Sequence, residues 1–144
     1  MDPISIIGTA GVILNVICAL GKTINAVSEL RSQWSNAEMT LATFETQLIA
    51  LKAALVKIEE WAEANFEDSY HQLVIDLSRC VSHCTLLIDK IDAGLATLRT
   101  AEDGRLDVPS KLRLLFKTRD MGDVQKMVKH LTSALTLLLT ACNW

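Results

Sequence analysis

Between Pro3 and Pro109 the chain has no proline, the residue that most strongly breaks a helix, at about 3 kcal/mol in an interior position. That run can be helical almost without interruption. Apolar residues along it recur at spacings of three and four, the period of a helix with one buried face. The chain has 144 residues, 50% hydrophobic and 22% charged. Such a composition excludes disorder as the bulk state, and the length suits a single domain burying about 70% of its unfolded surface in one core. The expected fold is all-α: residues 1–144 form one antiparallel bundle of four long helices, with a short extra helix before the last.

The first helix starts at Asp2-Pro3, an N-cap followed by proline at the first helical position. Its expected core stripe is Ile6, Ala10, Ile13, Ile17, Leu20, Ile24 and Val27. The opposite face is Gly8, Gly11, Asn15, Ala19, Lys22, Ala26 and Glu29, with Ile7, Val12, Leu14 and Val16 on the flanks. Ser35 to Glu38 fits a capping box that opens a second helix, whose seam is Leu41, Phe44, Leu48, Leu51, Leu55, Ile58 and Ala62. That strict alternation is an a/d seam. Ser69 to Gln72 opens a third helix, with Leu73, Leu77, Cys80 or Val81, Cys84, Leu87, Ile91, Leu95 and Leu98 inward. A loop over Thr100 to Val108 then leads to a short basic helix from Pro109 to about Phe116. Asp120 to Asp123 is expected to cap the last helix, with Val124, Val128, Leu131, Leu135, Leu138 and Cys142 in its seam. That helix is still apolar at Trp144, as in a domain continued by further chain.

The chemistry of most enzymes has no carrier here. There is no Gly-rich phosphate loop, nucleophile elbow, zinc helix motif or calcium loop, so no catalytic residue and no cofactor is assigned. Cys80, His83 and Cys84 share a helical turn, with His71 a conceivable fourth ligand, but the paired knuckles of structural zinc sites are missing. Buried free thiols are the default reading for the two cysteines. A net charge of −3 provides no field for nucleic acid. One local exception is the stretch Arg105 to Lys129. Its residues Lys111, Arg113, Lys117 and Arg119 are either an ordinary solvated face or a patch facing anionic lipid headgroups, where each base contributes about 1 kcal/mol.

From Pro3 to Gly21 there is no charge at all. The acid at Asp2 argues against a signal peptide, which needs a basic start. As a helix, Ile4 to Leu20 rises about 26 Å, just short of a hydrocarbon layer of about 30 Å. Ile4, Ile6, Ile7, Gly8, Gly11, Val12, Ile13, Leu14, Val16, Ile17 and Leu20 are therefore candidates for membrane insertion, with Lys22 able to reach the interface at one end. Gly8, Gly11 and Ala19 would permit close self-association within lipid. The same pattern equally describes the central, most buried helix of a bundle surrounded by water.

The opening Met1 to Gly8, the segments Asn36-Ala37-Glu38-Met39-Thr40-Leu41 and Leu48 to Leu55, and the closing Leu131 to Thr140 resemble the N-terminal helical domain of fungal STAND receptors, of the HeLo-like group. The resemblance covers essentially the whole chain. It implies a helical-bundle cell-death effector at the start of a longer chain, followed by a nucleotide-binding oligomerisation module or repeats. On activation, the first helix of such domains moves from the cytoplasm into the plasma membrane and kills the cell during non-self recognition, with self-association and anionic lipids as partners. Some members of the group act instead as adaptors, so a soluble interaction or oligomerisation module is the alternative.

Overall fold

The computed structural model describes residues 6–33, 39–64, 71–100 and 118–142. They form four helices: α1 (Ile6–Gln33), α2 (Met39–Ala64), α3 (His71–Thr100) and α4 (Arg119–Cys142). The expected capping box at Ser35 to Glu38, the cap at Ser69 and the short helix from Pro109 lie outside the described residues.

The seam of α2 is buried at every expected position, with Leu48, Leu51, Leu55 and Ile58 fully inaccessible and Phe44 nearly so. Two large apolar residues of this helix, Met39 and Ile49, stay exposed outside that seam. In α3, Leu77, Val81, Cys84, Leu87, Ile91 and Leu95 are buried as well; of the two alternatives in its second turn, Val81 takes the core and Cys80 is half-buried. Met121, Val124, Val128, Leu131 and Leu135 do the same for α4, and Leu138 packs against the core half-buried. At about 2 kcal/mol for each large side chain withdrawn from water, this single cluster is the main stabilising term.

The start of α4 differs from expectation. The backbone N–H of Met121 donates to Thr118 Oγ1 at 3.2 Å, and that of Gly122 to the Thr118 carbonyl at 3.1 Å. Thr118 is therefore the N-cap. Asp120 falls in the first turn instead, where a carboxylate at that sequence position still suits the positive end of the helix dipole.

Packing order is the larger surprise. Among the described residues α1 touches α2 and α3, α4 touches the same two, and no contact joins α1 to α4 or α2 to α3. The helices thus form a ring in which the consecutive α2 and α3 occupy opposite corners, although sequential elements usually neighbour one another. Arg31 pairs with Glu45, while Gly21 lies beside Lys52. Among the described residues helix α1 has two neighbours, and Gly11, Val12, Leu14, Asn15 and Cys18 are exposed on its outer side.

Candidate membrane-facing surface

The inward face of α1 is Ile13, Val16, Leu20, Thr23 and Val27, all buried. These alternate by three and then four, whereas the expected stripe alternates by four and then three. Both registers share Ile13, Leu20 and Val27. They differ in choosing Val16 over Ile17 and Thr23 over Ile24, and the two isoleucines end half-buried at the edge of the core. This small rotation also brings Ala19 and Ala26 from the expected outer face into partial contact with the core.

A threonine in a core position needs a partner. The Thr23 hydroxyl lies 2.8 Å from Asp92 Oδ1 on α3 and 3.2 Å from the Ala19 carbonyl oxygen. It donates to the carboxylate across the helix interface. Near the end of α1, Arg31 Nε donates to Glu45 Oε2 of α2, a carboxylate nearly withdrawn from solvent. Among the described residues no buried side-chain nitrogen or oxygen lacks a partner.

The candidate insertion residues are thereby divided. Ile4 lies outside the described residues, and of Ile6, Ile7 and Gly8 only the helical backbone is described. Ile13, Val16 and Leu20 belong to the core and Ile17 to its edge, so they are not presented to a bilayer in this conformation. Gly11 is exposed with open space around it, Val12 is 51% exposed and Leu14 44%. With Asn15 and Cys18 they make an outward surface free of charge, which ends at the exposed Lys22. By length and composition one stretch among the described residues, Gly11–Ser32, could cross a membrane, with a mean hydropathy of 1.5 and 33% of it buried; a core helix of a soluble bundle meets the same test.

Of the candidate headgroup residues, Arg119 is exposed at the first position of α4, and Lys111, Arg113 and Lys117 lie outside the described residues. Among the described residues the helix that carries Arg119 makes no contact with α1. Sequence reasoning passed over Thr23, Asp92, Arg31 and Glu45; a polar residue at the d position of an otherwise apolar heptad was the available sign for Thr23.

Three titrating groups outside α1 are shifted by their surroundings. Burial, followed by the proximity of Cys80, pushes the Cys84 thiol up to about 12. Burial and then the Asp76 charge raise Cys80. His83 on the same turn is exposed, and among the described residues no three metal-ligating side chains converge. At the end of α2 the Glu59 carboxyl is raised, first by a hydrogen bond with Glu63, then by burial, then by the negative charges of Glu63 and Glu60. Two shallow adjoining depressions lie along α2, one of about 360 Å³ lined by Ala42, Thr43, Thr46, Gln47 and Ala50 of α2, the other of about 310 Å³ between Gln47 and Ala50 of α2 and Val128, Lys129, Thr132 and Ser133 of α4. No family model, curated protein or solved structure matches the chain.

Proposed function

We propose that this domain acts on membranes: a helical bundle, its chain reversing at each connection with a short helix over residues 109–116, in which α1 exchanges bundle contacts for lipid after self-association. The observation that carries the reading is the outward surface Gly11, Val12 and Leu14, apolar and uncharged although it faces water. The physical balance favours such an exchange. Ile13, Val16 and Leu20 would move from one apolar medium to another and lose little. Val12 and Leu14, now half in water, would each gain about 1 kcal/mol on full burial. What opposes release is the cavity left between α2 and α3, and self-association offsets it by covering that cavity. Lys111, Arg113, Lys117 and Arg119 are assigned to anionic headgroups.

In keeping with the HeLo-like resemblance, the domain would be the cell-death effector of a longer fungal receptor with a nucleotide-binding or repeat module, cytoplasmic at rest and moving to the plasma membrane when triggered. Dye release from anionic vesicles by the domain fused to an oligomerising coiled coil tests this. Release is expected; intact vesicles at every oligomeric state would refute it. A soluble interaction module is the second reading, favoured by the seating of Ile13, Val16 and Leu20 in the core. Those three make deletion of the residues before Leu20 a poor discriminator, because it would dismantle the bundle. Outer-face substitutions separate the readings instead.

A further inference from the structure

The two halves of α1 are held to the bundle by different means. After Gly21 the helix is fastened by two polar contacts to two different neighbours: Thr23 to Asp92 of α3 and Arg31 to Glu45 of α2. Before Gly21 the described side chains that reach the core are all apolar: Ile13, Val16 and Leu20, with Ile17 and Ala19 at the edge. The division coincides with the end of the charge-free stretch, since Lys22, Glu29 and Arg31 all follow Gly21. Apolar contacts continue after Gly21, through Val27 and, at the edge of the core, Ile24, Ala26 and Leu30, but there they are joined by polar contacts that an acyl chain cannot replace.

Building on the membrane reading above, we infer that only the segment of α1 before Gly21 enters lipid, turning about Gly21, while Lys22 to Gln33 stays fastened to α2 and α3. Glycine at this point weakens helical continuity more than any residue except proline. It also leaves a notch beside α2: a methyl group there would sit 3.5 Å from Lys52 Nζ, an ordinary contact that side chains can accommodate. The described part of the inserting segment, Ile6 to Leu20, is about 22 Å long, against about 30 Å of hydrocarbon. Its occupant is the acyl layer of the leaflet it first meets, entered at a slant, with Lys22 at the headgroups.

The native Cys18, exposed on the outer face just before Gly21, and the exposed Asn25, one turn beyond it, provide two reporter positions. A polarity-sensitive thiol probe is attached at Cys18 in a Cys80→Ala, Cys142→Ala background, leaving Cys84 protected by its burial. It is attached at the second position in the same background with Cys18→Ala and Asn25→Cys. Each protein, fused to the same oligomerising coiled coil, is mixed with vesicles containing phosphatidylserine, and dye release is read in parallel. The inference expects release with a blue shift at position 18 and none at position 25. Shifts at both positions would show that the whole helix inserts and would overturn it. Release without a shift at either would place the lipid contact outside α1 and overturn it too. Absence of both release and vesicle binding would refute the membrane reading on which it rests. As a second check that does not depend on labelling, Gly21→Ala, which the notch accommodates, should fold normally and lower the release rate several-fold; an unchanged rate would remove Gly21 as the turning point.

Discussion

Helices α1 and α2 are of similar length, 28 and 26 residues, and each lies against two neighbours in the ring, yet they settle their orientation differently. The apolar seam of α2 is backed by threonines, lysines and glutamates, so its buried face follows directly from its pattern, and all seven seam residues are inside. The first half of α1 is apolar on every side, so hydrophobicity alone permits several rotations. A single hydrogen bond, Thr23 to Asp92, accompanies the rotation adopted. Apolar side chains face water on both helices, Val12 and Leu14 on α1 and Met39 and Ile49 on α2, but on α1 they lie within a stretch that carries no charge.

The contrast can be broken most severely at a position that both registers place inside. Ile13→Glu would bury an unpaired charge in a site with no accessible surface. The loss should exceed that of Leu55→Ala in the α2 seam, itself about 2–5 kcal/mol, and urea denaturation followed by circular dichroism should find no cooperative transition for the glutamate variant. Next comes the rotation of α1. Thr23→Val keeps the shape and removes the donor to Asp92, costing about 1 kcal/mol; in a double-mutant cycle with Asp92→Ala, a coupling near zero would mean that the contact does not hold the register.

A smaller effect separates the end of α2 from the rest of that helix. Because the Glu59 carboxyl is raised in the folded state, the folded chain binds that proton more tightly than the unfolded one. Its contribution is fully present below the ordinary carboxyl value of about 4.5 and is lost as pH rises through the folded value. Glu63→Gln, which removes the coupled acid, should flatten this limb of the stability–pH curve. An unchanged limb would assign it to other groups. Smallest of all in stability terms is Leu14→Glu: on the open face of α1 it should change unfolding free energy by no more than about 0.5 kcal/mol.

Much of the architecture was legible in the sequence because it depends on spacing. The four long helices among the described residues, the α2 seam and most of the α3 and α4 seams follow from the spacing of apolar residues. Three features were not legible, each for a physical reason. Val16 and Ile17 are equally apolar, so the register of α1 rested on a polar contact with a residue 69 positions away. Thr118 caps α4 although Asp120 is a comparable capping residue, and local sequence does not rank the two. The placement of α2 and α3 at opposite corners reverses the adjacency that a short connection suggests, because the packing of all four faces decides it. At the candidate surface, the charge-free run announced an unusual helix. Which of its residues face outward emerged only from the packing.

The most direct test compares two leucines of similar exposure in different regions: Leu14 on α1 and Leu86 on α3, 44% and 51% exposed. Wild type, Leu14→Glu and Leu86→Glu, each fused to the same oligomerising coil and shown to be folded, are floated with phosphatidylserine vesicles. The account predicts that wild type and Leu86→Glu rise with the vesicles while Leu14→Glu stays at the bottom of the gradient. Equal flotation of all three, or loss in both variants alike, would contradict the assignment of lipid contact to α1.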